Sequence, residues 1–256
     1  MSDDMHTRGV WPISRRAALA LLGGAGLGAV AAACTGKLSE AGSTPPASSG
    51  TSAGGTTTGS SGNAPGCVLT QEVTEGPYYL PLNILRSDIT EGKEGVPLQL
   101  DLQVVDASTC QAISGAVMDI WHADAVGVYS GAVPLGPNSS APTTSGTFLR
   151  GVQNTGTNGV ATFKTIYPGW YTGRAVHIHV KVHLDDQTVH TGQLFFDDSL
   201  TSSVYRANAP YDSRGEPDTT TATDSIYQQA GASGAILAMK RQGTGYLGTM
   251  TMGVMT

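Results

Sequence analysis

Apolar residues alternate with polar ones over most of the second half of the chain, and the alternation has the period of a strand. From Val96 to Val105, Leu98, Leu100, Leu102 and Val104 share one face. The next strand runs from Ile113 to His122, with Ala116, Met118 and Ile120 on one side and Val117, Asp119 and Trp121 on the other. Phe148 to Gln153 reads as a short strand and Val160 to Ile166 as another, and the Asn158-Gly159 pair between them is a hairpin signal. Pro168-Gly169 is turn chemistry, and it leads into a strand in which Val176, Ile178, Val180 and Val182 lie on one face. After a turn at Asp185-Asp186-Gln187, Val189 to Phe196 continues the pattern. The tail from Asp197 to Gly245 is loop-rich, with Ala230 to Lys240 irregular or briefly helical, and Tyr246 to Val254 reads as a last strand. No helix-period segment is long enough to cover a sheet, and there is no internal repeat. The expectation is an all-β sandwich of about seven to eight short strands with long loops.

The first quarter of the chain carries no such pattern. Ser14-Arg15-Arg16 is a twin-arginine pair, and the run Ala17 to Ala33 after it is uncharged, too short and too Gly-rich for a comfortable membrane span. Residues 1–33 therefore read as a twin-arginine export signal. Two processing routes fit its end at Ala31-Ala32-Ala33-Cys34: cleavage at the small residues, or lipidation of Cys34 as the mature N-terminus. Residues 34–66 read as a tether: from 41 to 66 the chain is almost wholly Ala, Gly, Ser, Thr and Pro, cannot bury a core, and as a random coil reaches about 30 Å. An arm without an anchor has the same composition. The folded domain is expected at 67–256. The protein is thus expected outside the cytoplasm, tethered to the membrane through Cys34 or secreted.

Charge narrows the partners. Only 13% of the 256 residues are charged and the net charge is −6, which disfavours nucleic acid. Loss of residues 1–33 would remove Arg8, Arg15, Arg16, Asp3 and Asp4, so the acidic character would survive processing. There are three cysteines, Cys34, Cys67 and Cys110. If Cys34 is lipidated, the other two form an even pair in an oxidising compartment, and a Cys67–Cys110 disulfide is predicted, with free buried thiols as the alternative.

The chemistry gathers around residues 167–182. His177 and His179 share the strand face opposite Val176, Ile178 and Val180, and two imidazoles at i and i+2 can reach one metal ion. Alone, the pair equally describes two surface histidines. Tyr171 and Arg174 sit just upstream, and Trp121…Gly127-Val128-Tyr129-Ser130 supplies another tyrosine on a loop or at a strand start.

Pro168-Gly169-Trp170-Tyr171, with Arg174-Ala175-Val176-His177-Ile178-His179, resembles the metal-site segment of the intradiol ring-cleavage dioxygenases. These are non-haem iron enzymes related to catechol 1,2-dioxygenase and protocatechuate 3,4-dioxygenase. The resemblance spans roughly 67–256 and includes the lead-in Thr74-Glu75-Gly76-Pro77-Tyr78-Tyr79. It implies Fe(III) held by Tyr129, Tyr171, His177 and His179, with Tyr171 leaving the metal and taking a substrate proton. It implies Arg174 as the active-site arginine and Gln193, in Thr191-Gly192-Gln193, as a glutamine near the substrate. The substrates implied are a catechol and O2, both oxygen atoms entering the ring as it opens between its hydroxyl-bearing carbons to a cis,cis-muconate. The donor set agrees: a phenol of pKa about 10 binds near neutral pH only to a strongly Lewis-acidic ion, and two phenolates with two imidazoles suit Fe(III) better than Ca(II) or Mg(II). Surface pairing of Arg174, and an ordinary strand polar role for Gln193, are the plain alternatives.

His122 reads as a structural hydrogen-bonding residue, His183 and His190 as surface or hairpin positions, Trp121 and Trp170 as packing around the site, Trp170 also as a pocket wall. Tyr78 and Tyr79 fit either a pocket rim or the core. Only Thr172-Gly173 separates Tyr171 from Arg174, where the cytosolic catechol dioxygenases carry a long insertion, and their helical dimerisation segment is missing. Substrate choice and oligomeric state therefore do not carry over. Two other classes compete: a non-catalytic secreted sandwich that binds polysaccharide or cell wall, and a copper or zinc protein using His177, His179 and a third His. The first gives no reason for the two tyrosines and two histidines to occur together.

Overall fold

The computed structural model describes residues 69–131 and 140–256. The export signal, the tether, Cys34 and Cys67 lie outside them. Among the described residues ten strands form: β1 Pro97–Asp106, β2 Val117–Trp121, β3 Tyr129–Ser130, β4 Thr143–Thr144, β5 Arg150–Asn154, β6 Val160–Ile166, β7 His177–Leu184, β8 Gln187–Phe195, β9 Ala238–Gln242 and β10 Gly245–Val254. Eight of them build two four-stranded sheets, in the orders β6-β1-β10-β9 and β5-β2-β7-β8, and β3 pairs with β4. The all-β sandwich is as expected. Leu98, Leu100, Leu102 and Val104 of β1 pack inward, as do Met118 and Ile120 of β2 and Ile178, Val180 and Val182 of β7, all essentially without exposure. Period-2 patterning decides this, because one face of each strand must leave water.

Several features depart from the sequence reading or go beyond it. The Asn158-Gly159 turn does not close a hairpin: β5 pairs with β2 and β6 with β1, so the turn carries the chain from one sheet to the other. β10 lies parallel to β1, along the register Leu98↔Tyr246 to Asp106↔Val254. The tail contains a ten-residue helix, α1 (Asp198–Ala207), capped by the Asp197 side chain on the Leu200 amide and burying Thr201, Val204 and Tyr205. A second helix, α2 (Ser225–Gln229), is capped by Asp224, and the edge strand β9 follows it. His190 is buried, not a surface position. His183 is a hairpin residue as expected, its Nδ1 3.0 Å from Thr188 Oγ1.

Cys110 is disulfide-bonded, and its partner lies outside the described residues. Among the described residues no helix is long and apolar enough to cross a membrane.

Candidate metal centre and active site

The site lies on the outer face of the β5-β2-β7-β8 sheet. Cross-strand register puts Trp121 opposite both Arg150 and His179, and His179 opposite Gln193. These four residues form one rung across the sheet, pointing away from the sandwich core because Ile120, Ile178 and Leu194 beside them point into it.

Loops bring the tyrosines to that rung. Asp124 folds its loop by accepting from the Val126 and Val128 amides, and Tyr129 follows at the start of β3. The Pro168-Gly169 turn packs against this loop: the Gly169 amide donates to Asp124 O at 2.9 Å, and a Cβ at Gly169 would lie 2.3 Å from that same oxygen. Only glycine allows so close an approach. The helix missed in the sequence secures the turn from behind. Tyr205 of α1 donates to Pro168 O at 2.9 Å, and the Tyr211 hydroxyl donates to Tyr167 O at 2.7 Å. Tyr171 is thereby aimed back at β7.

Four donor atoms converge. Tyr171 Oη is 3.1 Å from His177 Nε2, His177 Nε2 is 3.2 Å from His179 Nε2, and His179 Nε2 is 3.0 Å from Tyr129 Oη. All four side chains are buried. His177 Nδ1 lies 2.7 Å from Ala175 O, and since a carbonyl only accepts, the proton sits on Nδ1 and Nε2 keeps its lone pair. His179 stacks on Trp121, ring centroids 4.8 Å apart at 5°, and its Nδ1 is buried without a partner. If each phenol donates to a ring nitrogen, the two Nε2 atoms meet lone pair to lone pair. A cation between them makes that contact favourable, as does a proton carried on His179 Nε2. Burial, with Arg174 nearby, holds both imidazoles well below their usual pKa, so both rings are neutral near neutral pH, the form in which histidine binds a metal. A cation fits: ligand atoms about 2.0–2.2 Å from one ion lie about 3 Å from each other. Burial likewise raises Tyr129 well above the usual phenol pKa and Tyr171 to about 12, so an ion that binds them as phenolates must be strongly Lewis-acidic.

No group of three or more His, Cys, Asp or Glu side chains is placed to hold a metal among the described residues, so a centre here must use the phenols. The described histidines offer no third imidazole. His122 is buried with Nδ1 2.8 Å from Ala123 O and Nε2 2.7 Å from Thr165 Oγ1, the structural role expected of it. His183 serves its hairpin, and His190 alternates with Gln193 onto the opposite face of β8.

Arg174 stands beside the four donors. Its Nε donates to Asp224 at 2.9 Å and its Nη2 to Gln193 Oε1 at 2.5 Å, so Arg174 and Gln193 do meet. Gln193 Nε2 in turn donates to Thr74 O at 2.9 Å. That bond belongs to an arm, residues 72–79, laid across β8, β7 and β2. The Val73 amide donates to Thr191 O, Glu75 pairs with Lys181, and Lys181 Nζ sits 4.1 Å over the Tyr79 ring. Gly76 faces the edge of His179, where a Cβ would come within 3.2 Å of Cε1. Tyr78, 1% exposed, stacks on Tyr129 at 4.2 Å and 6° inside a buried aromatic cluster, which decides between rim and core in favour of the core. Trp121 is packing, as read. Trp170 donates to Gly215 O and carries Arg214 on its ring. Sequence reasoning missed Asp224, whose signal was an Asp followed by a short apolar turn of helix.

The buried histidines set a pH dependence. Folding lowers the pKa of His122 to about 4 and depresses His177, His179 and His190 below the ordinary value. A folded pKa below the unfolded one means stability is complete above about pH 6.5 and is lost as pH falls toward the folded values. Each such group contributes up to about 1.4 kcal/mol per pH unit in that window. Asp119, raised by burial to about 7, works the other way, its contribution fading as pH rises from about 4 to 7. Four histidines outweigh one carboxyl, so the urea midpoint of metal-free protein should fall steeply between pH 6.5 and 5. A flat midpoint over that interval would contradict the burial argument.

Comparison with protein-family models gave no match, and comparison with curated proteins gave none. Solved structures do match. An intradiol ring-cleavage dioxygenase from Tetranychus urticae is 32% identical with a TM-score of 0.68, over 74% of this chain and 95% of that one. The dioxygenase domain of a dioxygenase carbohydrate-binding protein fusion from the cellulolytic bacterium Streptomyces sp. SirexAA-E is 29% identical with a TM-score of 0.55, over 73% of this chain and 99% of that one. A hydroxyquinol 1,2-dioxygenase from Pseudomonas putida DLL-E4 shares the fold, at 14% identity and a TM-score of 0.51, over 73% of this chain and 67% of that one. With its sandwich, its site rung and a relative of this identity over nearly that relative's whole length, the chain belongs to the intradiol ring-cleavage dioxygenases.

Proposed function

We propose that the protein is an exported non-haem Fe(III) dioxygenase that opens a catechol between its two hydroxyl-bearing carbons to a cis,cis-muconate-type product. The observation that carries the metal assignment is the chain of contacts at 3.0–3.2 Å joining Tyr129 Oη, His179 Nε2, His177 Nε2 and Tyr171 Oη. Two phenolates would offset two of the three positive charges of a ferric ion, and two neutral imidazoles complete a set suited to it. The ion would supply Lewis acidity toward the catechol and toward O2.

The protein's own residues do the rest. Tyr171 enters from a loop, whereas the histidines are fixed on a strand, so of the four residues that would hold the ion it would be the freest to take a catechol proton at Oη. Its raised pKa makes the released phenolate a strong base. Arg174, tied to Asp224 and Gln193, holds a fixed positive charge beside the site, placed to stabilise negative charge on the substrate ring. Tyr78, Trp121 and the arm keep bulk water from the imidazoles.

The link Thr172-Gly173 is exposed, and a Cβ on Gly173 would meet nothing within 4 Å. That openness favours bulky or polymer-derived catechols, and the Streptomyces relative, whose dioxygenase is fused to a carbohydrate-binding protein, supports the same reading. Export through the twin-arginine route rests on Ser14-Arg15-Arg16 and the uncharged run after it. The Cys110 disulfide supports an oxidising compartment, with Cys67 as its proposed partner and Cys34 as the proposed lipid site. Residues 1–33, 34–66 and 67–256 are accordingly proposed as signal, tether and catalytic domain.

The test is reconstitution with ferric iron followed by oxygen uptake on a panel of catechols, with product identification. A wine-red tyrosinate-to-iron band, one O2 consumed per ring opened and a muconate-type product are expected. A colourless protein, inert toward every ortho-diphenol, would leave the binding-module reading standing. Activity confined to unsubstituted catechol would remove the open-pocket argument alone.

A further inference from the structure

We propose that Asp224 is a positioning residue of the active site, a single buried carboxylate that fixes both the guanidinium of Arg174 and the imidazole of His177; this rests on the dioxygenase reading of the site. Asp224 is 1% exposed and takes four hydrogen bonds. Oδ2 accepts from Arg174 Nε at 2.9 Å and from the Ala175 amide at 2.8 Å. Oδ1 accepts from the Ile226 and Tyr227 amides at 2.8 and 3.0 Å, capping α2.

Capping alone does not call for a carboxylate. Ser, Thr or Asn would satisfy the same two helix amides. What a carboxylate adds is a second oxygen able to accept from a cation and a main-chain amide together. Both of those donors lead to the site. Arg174 is stretched between Asp224 on one nitrogen and Gln193 on another, so its charge has a fixed place and plane. Ala175 is gripped on its N–H by Asp224 and on its C=O by His177 Nδ1, so the carboxylate sets the residue that orients the imidazole. The connection reaches the site from α2, some fifty residues further along the chain than Arg174 and Ala175.

Asp224→Asn is nearly isosteric and keeps one oxygen. In either orientation its NH2 faces two donors, and with the oxygen capping the helix, Arg174 and Ala175 are released. Two effects are expected of the iron-loaded protein: kcat lower by about 10–100-fold with a smaller change in KM, and iron lost to a chelator at least about tenfold faster, as for other partners of metal ligands. Asp224→Ser caps the helix without holding Arg174, so it should fold yet share both defects. With turnover counted per bound iron, the double variant Arg174→Ala/Asp224→Asn should turn over no more slowly than Arg174→Ala, because Asp224 acts on turnover through that arginine and through His177 only on iron retention. Wild-type kcat in Asp224→Ser, or kcat losses that multiply in the double variant, would reduce Asp224 to a helix cap and overturn the proposal. If reconstituted wild-type protein takes up no iron and no O2, the dioxygenase reading fails first and this one with it; active wild type beside unaltered Asp224→Asn sinks this inference alone.

Discussion

His179→Ala should give a protein that folds, stays colourless with ferric iron, and loses at least about a thousandfold in activity. The metal's Lewis acidity is worth several kcal/mol at the transition state, and each 1.4 kcal/mol is tenfold in rate. His179 is chosen over His177 because its Nδ1 has no hydrogen bond to lose, whereas His177 Nδ1 donates to Ala175 O, so removing His179 takes away a proposed ligand and no backbone contact. Its removal leaves the second imidazole with one phenol on its side and nothing across. The fold should survive, because His179 faces away from the sandwich core and the hydrophobic cluster of β1, β2 and β7 does not include it. Truncating a buried ring still costs about 2–4 kcal/mol. The experiment therefore pairs a thermal melt with iron analysis and the visible spectrum. A folded His179→Ala protein that keeps the wild-type band and stoichiometry would end the four-ligand assignment.

What the sequence revealed and concealed follows from what alternation encodes. A period of two tells which side chains share a face, so the sequence alone places His177 and His179 together, opposite Val176 and Ile178. The strand β6 is bounded where the pattern bounds it, Val160 to Ile166. Alternation does not say which strand lies alongside. The parallel pairing of β1 with β10 joins residues about 150 apart, and the turn at Asn158-Gly159 has hairpin chemistry yet changes sheets because β2 and β1 claim the strands on either side of it. α1 was legible in part: Asp197 is a capping residue, and Val204 and Tyr205 follow at helical spacing, but the segment's Ser and Thr content hid it.

The site shows the same division. Tyr171, Arg174, His177 and His179 lie within nine residues, and local pattern suffices to group them. The residues that support them come from far away: Tyr78 on Tyr129, Trp121 on His179, Tyr205 on Pro168, Asp224 on Arg174. Buried polar support of this kind has no periodicity. It exists because a charged or hydrogen-bonding group that leaves water must find a partner somewhere in the fold.

Arg174→Ala should keep the wine-red colour and lose about a hundredfold to a thousandfold in kcat, the range seen when one preorganised charge or donor is taken from a transition state. The colour should persist because Arg174 makes no direct bond to any of the four proposed ligand atoms; its bonds go to Asp224 and Gln193. The same substitution should weaken the fold. It leaves Asp224, 1% exposed, without its cation, and breaking a buried pair by removing one member costs about 3–5 kcal/mol. Arg174 itself is only partly covered, its side chain 18% exposed, so the lower end of that range applies. Arg174→Lys separates the two effects. Lysine carries the charge back and can answer Asp224, which should restore much of the stability, but a single ammonium cannot reproduce the planar fork between Asp224 and Gln193. Turnover should therefore stay well below wild type while the melting temperature recovers. Should Arg174→Ala turn over at the wild-type rate on the preferred catechol, the arginine has no part in stabilising charge on the ring, and the pair with Asp224 is a structural bond and nothing more.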